Sequence, residues 1–309
     1  MLPNFPTFKN LEWNDREEFE TYSSWLAPHS DFNFVSVWAW DINETMKLSK
    51  LNDNLVIFFN DYLTGDHYLS FVGKNKITET ASELLKYSKE NYGAPFLKYV
   101  PEEIANDIVD PGLTVVVDEG NCDYVGRVSD FAESDKLTQS HGHIGQNCRR
   151  FLRLYPDFQL KVCPINQADK TELRGLFTIW ADNKQVKIAD LVEYKAFERF
   201  LQLTEENIKV LSIYVDDIPV GFQTIEILSK EYATVDFVKG DVNYRDIFQI
   251  LNWKTCEYLK NEGIVYLNIQ VDLGCKELRA SKTTNFKSAF FLKRFIVQST
   301  VVDNNGYER

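Results

Sequence analysis

The sequence predicts an α/β (α+β) protein that is a tandem duplication of one unit, with mixed sheets flanked by helices. Segments with the 3.6-residue period of amphipathic helices alternate with the apolar or alternating segments that are typical of strands. The second half of the chain has these segments in a clear order, and the first half repeats that order more loosely. Hydrophobic residues make up 44% of the 309 residues and charged residues 26%, which is ordinary for folded globular domains.

Two helices and three strands begin the second half of the chain. The apolar spacing predicts amphipathic helices over residues 167–182 and 191–206. Residues 210–228 alternate around a turn signal at 216–219, which predicts two antiparallel strands. A third strand is predicted over 232–240, which is rich in β-branched and aromatic residues.

A helical crossover and a further strand follow these three strands. The helix covers 243–263 and ends at Gly263, and the continuous apolar run 264–272 predicts a strand covered on both faces. A short helix and a last strand over 288–300 complete the order α-α-β-β-β-α-β-α-β. This is the element order of the GCN5-related N-acyltransferase (GNAT) fold.

The first half contains a related but looser set of elements. A strand pair at 51–60 and 66–73 precedes a helix at 78–93, and later strands follow. We therefore predict two GNAT-like domains, 1–160 and 161–309, with a degenerate first domain and the active cleft in the second. The alternative is one domain with an unrelated appendage.

Composition limits the class of protein. The 34 Lys and Arg against 46 Asp and Glu give a net charge of −12, which disfavours nucleic-acid binding by the whole surface but leaves room for a local basic groove. With no run of about eighteen apolar residues and no visible secretory signal, we expect a cytoplasmic chain without an integral membrane segment. Five cysteines without a CxxC pair, together with four histidines, predict neither a disulfide framework nor a metal site. Nucleotide-binding loops and GxSxG or HExxH motifs are absent from the sequence.

The loop before the second-half crossover helix is the position of a donor pyrophosphate in the GNAT fold. Lys239, Tyr244 and Arg245 are candidate donor-binding residues there. The glycines that would let the backbone approach phosphates are missing, and Asp246 is expected to cap the helix itself. Acetyl-CoA binding is therefore disfavoured.

The last third of the chain carries the strongest local signal. Asn268, Gln270 and Asp272 alternate on one face of a predicted strand, so they must find partners or face a cleft. Basic residues follow, and they either converge on a phosphate-bearing substrate or form a solvated helix face. These residues include Lys276, Arg279 and Lys282.

Two further sets of charged residues are open to two interpretations. Arg149, Arg150 and Arg153 cluster on a helix that begins near residue 145 and breaks at Pro156, and they form either a phosphate-facing patch or a solvated face. Asp236 and Glu226 are candidate bases within strands. If Lys239 or Arg279 lies opposite Asp236, a structural ion pair is the interpretation that the residues favour.

Several segments resemble the bacterial family of phosphatidylglycerol lysyltransferase C-terminal-like proteins, which are tandem GNAT-fold proteins. The resemblance covers essentially the whole chain. It is carried by SDFNFVSVWAWD at 30–41, YVDDIPVGFQTIEI at 214–227 and NIQVDLGCKELRASKTTNFKSAFFLKRFIV at 268–297. The run from Asp272 through Lys282 is the most specific of these motifs.

The resemblance implies an aminoacyl or acyl transferase. Characterised relatives move an aminoacyl group from aminoacyl-tRNA, so the implied partners are a tRNA acceptor end, or CoA in an acyl-CoA-dependent alternative. The acceptor would be a small molecule, a peptide or a lipid head group. Asp236, Arg279 and Lys282 match the family's catalytic positions. A noncatalytic binding module on the same scaffold is the remaining alternative.

Overall fold

The structure is a computed structural model that describes residues 1–61, 64–132, 143–286 and 288–300. It divides into two compact units, each built on one mixed sheet of seven strands among these described residues. Unit 1 comprises 1–122 with 292–309, and unit 2 comprises 123–291.

Unit 1 has the strand order β1-β2-β3-β4-β5-β14-β6. Its strands are β1 (Lys9–Asn10), β2 (Lys47–Leu51), β3 (Asn54–Asn60), β4 (His67–Val72), β5 (Phe96–Pro101), β6 (Leu113–Val117) and β14 (Arg294–Ser299). Its helices are α1 (Arg16–Ser23), α2 (Phe34–Trp40), α3 (Ile77–Tyr92) and α4 (Glu102–Ala105). A continuous cluster of buried apolar side chains from the sheet, α1, α2 and α3 forms its core.

Unit 2 has the strand order β13-β7-β12-β11-β10-β9-β8. Its strands are β7 (Asp123–Arg127), β8 (Gln159–Pro164), β9 (Ile208–Val215), β10 (Ile218–Ile227), β11 (Tyr232–Gly240), β12 (Tyr266–Asn268) and β13 (Phe290–Leu292). Its helices are α5 (Val128–Ala132), α6 (His143–Leu154), α7 (Lys170–Asn183), α8 (Val192–Phe200), α9 (Ile247–Asn261) and α10 (Lys276–Asn285). The predicted hairpin, third strand and crossover helix of the second half are confirmed.

Local chemistry accounts for these elements. Asp169 caps α7, since its carboxylate accepts hydrogen bonds from the backbone N–H groups of Thr171 and Glu172. Asp216 and Asp217 both have positive φ, the conformation that a tight two-residue hairpin turn between β9 and β10 requires. The apolar side chains of α9 pack on the sheet. α7 packs on β10 and β11. Aromatic side chains join α7 to α8 and α8 to β10.

Each unit contains one strand that comes from the other half of the sequence, so the compact units differ from the two halves of the chain. β7 comes from the first half of the chain but pairs with β12 in the sheet of unit 2. β14 comes from the end of the chain but pairs with β5 and β6 in the sheet of unit 1. The compact units therefore do not follow the predicted division at residues 160 and 161, because each predicted domain would lack a strand of its sheet.

A buried arginine fixes β14 in unit 1. Arg294 is fully buried, and its Nε atom lies 2.5 Å from Asp31 Oδ2. Its guanidinium also donates to Ser30 Oγ at 2.9 Å and to the carbonyl oxygen of Asn121. The last strand, predicted as one segment over 288–300, is consequently two strands, β13 and β14, in different sheets.

Candidate active site

The sheet of unit 2 opens between two neighbouring parallel strands. β11 pairs with β12 at Tyr232–Tyr266, Ala233–Leu267 and Thr234–Asn268, and the pairing of the described residues ends there. β11 continues to Gly240 while β12 ends at Asn268. The edge of β11 beyond Thr234 therefore faces a gap in the centre of the sheet, as in the splayed strands that receive the donor in the GNAT fold.

An irregularity in β11 lies at this gap. Its register with β10 shifts between Gln223–Val238 and Ile225–Val235, so one more residue lies on β11 than on β10. The Thr224 hydroxyl accepts a hydrogen bond from the Phe237 N–H at 2.9 Å and stabilises this bulge. The bulge places Asp236 beside the opening.

Asp236 has an unusual environment for a carboxylate. Both of its carboxylate oxygens are buried, and no described residue donates a hydrogen bond to either of them. Burial, and then the charge of Glu226, raise the pKa of Asp236 well above its usual value. A carboxyl group with a raised pKa beside a cleft is a candidate for proton transfer.

The two cations predicted to pair with Asp236 have other partners. Lys239 is 4% exposed, and its Nζ atom lies 2.6 Å from Glu193 Oε1 and 4.2 Å from the ring centre of Trp180. Burial lowers the pKa of Lys239, although Glu193 opposes this. Arg279 binds Asp272 instead. The condition for a structural ion pair at Asp236 is therefore not met, and Lys239 is paired with Glu193 instead.

A second group of polar side chains follows the end of β12. Asp272 is fully buried and accepts hydrogen bonds from Tyr124 Oη at 2.5 Å, Arg279 Nε at 2.6 Å and the Gly274 N–H at 2.8 Å. Burial would raise the pKa of Asp272, but the hydrogen bonds of Arg279 and Tyr124 outweigh it and the pKa is lowered. Burial, with the bond to Asp272, raises the pKa of Tyr124 to about 12. Asp272 therefore remains an anion that orients Arg279, whose side chain is 44% exposed.

Lys282 belongs to the same group. It lies one helical turn after Arg279 on α10 and donates a hydrogen bond to the carbonyl oxygen of Ile269. Burial lowers the pKa of Lys282 to about 8, although Asp123 and Asp272 oppose the shift. An amine with this pKa can give and accept a proton near neutral pH.

The predicted alternation of Asn268, Gln270 and Asp272 on one strand face is wrong. β12 ends at Asn268, whose Oδ1 accepts a hydrogen bond from the Gln270 N–H at 2.7 Å. Gln270 has a φ of 62°, so the chain turns before it reaches Asp272. The side chain–backbone hydrogen bond competes with the sheet ladder and shortens the strand.

The loop before α9 also differs from the prediction. Asp246 has a φ of 72° and does not cap α9 with its side chain. Its carboxylate is held by Arg150 instead, with Nε–Oδ2 and Nη2–Oδ1 distances of 2.6 Å. Arg245 is exposed, and the Tyr244 ring lies 5.4 Å from that of Tyr155. The start of α9 is thus occupied by the Arg150–Asp246 ion pair.

The remaining basic candidates are on the surface. Arg149 is exposed on α6, where it lines a depression of about 590 Å³ with Gln146, Arg150, Leu152 and Arg153. Lys276 is exposed at the first residue of α10. The structure thus brings Asn268, Gln270, Asp272, Arg279 and Lys282 together, and it places Arg149, Arg150, Tyr244 and Arg245 around α6 and the start of α9.

Two residues of the site were missed by sequence reasoning. Tyr124 lies on β7, far from Asp272 in the chain, and only the strand exchange brings it there. The Thr234 hydroxyl is buried next to the opening with no hydrogen-bond partner among the described residues, and its place in an apolar strand gives no signal in the sequence.

Two structural features bear on ligands and membranes. In the described part of the chain, no three His, Cys, Asp or Glu side chains are grouped so that they could hold a metal ion. Within the same residues, no helix combines the length and the apolar composition needed to cross a membrane.

The fold is that of a GNAT-type acyltransferase domain in tandem form. Residues 24–296 match the family described as phosphatidylglycerol lysyltransferase, C-terminal. Because the match covers most of the chain, the protein belongs to this family. No curated protein matches the sequence.

Solved structures show the same fold at low sequence identity. A conserved protein of unknown function from Bacteroides thetaiotaomicron has a TM-score of 0.76 and 18% identity, over 97% of this chain and 100% of that one. L-PGS from Bacillus licheniformis has a TM-score of 0.60 and 11% identity, over 94% and 93%. A tandem GNAT protein from the clavulanic acid biosynthesis pathway has a TM-score of 0.50 and 9% identity, over 96% and 99%.

Proposed function

We propose that this protein transfers an aminoacyl group from aminoacyl-tRNA to an amine or hydroxyl acceptor at the opening between β11 and β12. The observation that carries this proposal is the end of strand pairing at Thr234 and Asn268, with a buried acid on one strand and a cationic group beyond the other. Membership of a family of lysyltransferase C-terminal domains supports the class of reaction.

The roles follow from the environment of each side chain. Asp236 takes a proton from the attacking nitrogen or oxygen of the acceptor, since burial and the charge of Glu226 raise its pKa and make it a stronger base than an exposed carboxylate. Backbone N–H groups along the edge of β11 stabilise the oxyanion of the tetrahedral intermediate. Lys282 gives a proton to the ribose oxygen as the ester bond breaks.

The donor is held by phosphate contacts. Arg279 is oriented by Asp272 and remains partly exposed, so its free guanidinium edge can bind a phosphate of the tRNA acceptor end. Lys276 and Arg149 add exposed positive charge for further phosphates. CoA is the less suitable donor, because Arg150 and Asp246 are already bound to each other at the start of α9, where the fold would hold a pyrophosphate.

Single-turnover transfer tests the proposal. Aminoacyl-tRNA and acetyl-CoA are each mixed with the protein and a panel of amine and hydroxyl acceptors, and products are identified by mass spectrometry. We expect aminoacyl transfer only, with Asp236→Asn and Lys282→Met slowing it by about 10²–10⁴-fold. Glu198→Gln is the matched control, since Glu198 pairs with Arg174 on α7, away from the opening.

Two outcomes contradict the proposal. Transfer from acetyl-CoA alone would assign the site to the acyl-CoA-dependent class. Absence of transfer from both donors, with a folded protein, would favour the noncatalytic binding module.

A further inference from the structure

The outer edge of β6 is the least protected sheet edge in the described part of the chain. β6 ends the sheet of unit 1, and its residues, Leu113–Val117, include no charged residue and no proline. Of the other edge strands, β1 and β13 are shorter, and β8 carries Lys161 and Pro164. Short length, lysine and proline keep an edge strand from pairing with another chain, and β6 has none of these protections.

Backbone hydrogen bonds show which groups of β6 face this edge. The Asp118 N–H donates to the Arg294 carbonyl oxygen at 2.8 Å, and the Thr300 N–H donates to that of Gly112 at 2.8 Å. The even-numbered residues therefore bond to β14. Alternate residues of a strand direct their N–H and C=O groups to opposite edges, so the odd-numbered residues of β6 face outward. The backbone groups of Val115 have no hydrogen-bond partner among the described residues.

A depression of about 610 Å³ lies beside the start of β6. Lys86 and Lys89 on α3 line it together with Gly112 at the start of the strand. Glu90 and Asp110 line it as well, and Asp110 Oδ1 accepts a hydrogen bond from the Gly112 N–H at 2.7 Å. Both lysines are exposed, and neither has an ion-pair partner among the described residues. Their ammonium groups are therefore available to an anion.

The opposite end of β6 is acidic. Asp118 and Glu119 directly follow the strand. Asp118 accepts a hydrogen bond from the Asn121 side chain at 2.9 Å, and Glu119 is exposed. Because antiparallel pairing brings the end of one strand to the start of the other, a second copy of β6 brings its acidic end to the lysines of the depression.

We propose that this protein self-associates through β6, with two copies paired antiparallel about Val115. Val115 exchanges hydrogen bonds with its counterpart, and the Val117 N–H of each copy donates to the Leu113 carbonyl oxygen of the other. The Leu113 N–H takes no part, since it donates to the Asp110 carbonyl oxygen at 3.0 Å. Val116 and Val117, which are 40% and 44% exposed, then lie against uncharged residues of the second copy.

A second copy of the chain is the partner that these features favour. The same short segment supplies the outward backbone groups, the uncharged side chains and the acidic end that the lysines attract. An interface built on one short strand is small, so we expect a dimer that dissociates on dilution. The inference goes beyond the proposed function and holds whether or not the protein transfers an aminoacyl group.

Reciprocal charge reversal tests the pairing. Sedimentation velocity over a range of concentrations measures the dissociation constant of the full chain and of the variants Glu119→Lys and Lys89→Glu. We expect each variant alone to associate at least about tenfold more weakly, because like charges then meet at both ends of the interface. An equimolar mixture of the two variants should regain the association of the unmodified protein, since each contact of the mixed dimer joins opposite charges.

The controls separate this contact from general charge effects. Lys195→Glu makes the same change of charge at an exposed position of α8 and should leave the association unchanged. Glu119→Lys reduces the net negative charge of the chain, so general repulsion between copies cannot explain a weaker association of this variant. Circular dichroism checks that each variant is folded.

Cross-linking tests the register. In the proposed pairing, the two copies of Val116 are diagonal neighbours on one face, about 7–8 Å apart. Val116→Cys, in a chain whose exposed Cys275 is replaced by serine, should be joined into a dimer by a short bifunctional maleimide. Ile218→Cys is the control, since Ile218 is exposed on β10 in the other unit.

Three outcomes would overturn the inference. The first is a chain that stays monomeric at all concentrations, even if it binds an added valine-rich peptide at β6, which would assign the edge to a peptide partner. The second is a mixture of the charge-reversed variants that associates no better than either variant alone. The third is cross-linking through position 218 that is as fast as cross-linking through position 116.

Discussion

Lys282 and the two aspartates of the site show how the environment of one residue sets its chemistry. The carboxylate of Asp272 receives four hydrogen bonds and its pKa is lowered, whereas Asp236 receives none from described residues and its pKa is raised. Two carboxyl groups of the same type are thus suited to different roles, one as a permanent anion and one as a proton acceptor. Residue type alone could not separate them.

The reactivity of Lys282 is expected to change near neutral pH. Its pKa of about 8 means that the ammonium form dominates below this pH and the nucleophilic amine above it. We therefore expect its rate of acylation by a water-soluble succinimidyl ester to be half-maximal at about pH 8 and to rise with pH. Peptide mass spectrometry measures the rate at each pH.

Lys276 is the internal reference for this measurement, because it is exposed on the same helix. A pH profile of Lys282 that coincides with that of Lys276 would contradict the buried environment described for Lys282. Asp272→Asn removes a charge that opposes the shift, so it should move the midpoint of Lys282 to lower pH.

At the scale of elements, α10 depends on a close approach to β7. A Cβ atom at Gly126 would lie 2.3 Å from Phe286 Cε1, which no real contact allows. Phe286 directly follows α10 and stacks on Phe131 with ring centres 4.6 Å apart. The glycine on β7 therefore permits the aromatic contact that fixes the end of the helix carrying Arg279 and Lys282.

Gly126→Ala is expected to destabilise unit 2 and weaken transfer. Overpacking of this kind costs about 1–3 kcal/mol of the free energy of unfolding. Gly175→Ala is the matched control, since a Cβ at Gly175 on α7 meets nothing within 4 Å. The control should raise the stability by up to about 1 kcal/mol, because alanine favours a helix more than glycine.

Urea denaturation of both variants measures the two effects. Equal stability of Gly126→Ala and the unmodified protein would show that Phe286 moves aside without cost, and the packing argument would then be wrong.

The elements with strong local signals were predictable, and those set by distant partners were not. The turn at Asp216 and Asp217 and the period of α9 are local, so β9, β10, β11 and α9 follow from the sequence. β12 is shorter than its apolar pattern indicates because Asn268 bonds the Gln270 N–H. The same limit applies to the candidate site, because the sequence offers Arg279 and Lys282 as candidates but gives no sign of Tyr124, whose contact with Asp272 depends on a distant strand.

For the whole molecule, the strand exchange decides which parts of the chain can fold. Residues 1–160 lack β14, which lies between β5 and β6 and is the only strand that pairs with β6 among the described residues. Residues 161–309 lack β7, which lies between β12 and β13. No local pattern predicts this, since each half still shows plausible strands and helices.

We expect fragments 1–160 and 161–309 to lack cooperative thermal unfolding when each is produced alone. The missing strand leaves backbone N–H and C=O groups of two neighbours unpaired in the middle of a sheet, and it opens the apolar core on both faces. Co-expression of the two fragments supplies both strands and should restore cooperative unfolding. Fragment 123–292, which contains every strand of the second sheet, should unfold cooperatively by itself. The contrary outcome is cooperative unfolding of fragment 161–309 at the same temperature as fragment 123–292. That result would show that β7 contributes nothing to the stability of the sheet of unit 2. It would also contradict a role for the contact of Tyr124 with Asp272 in the candidate active site.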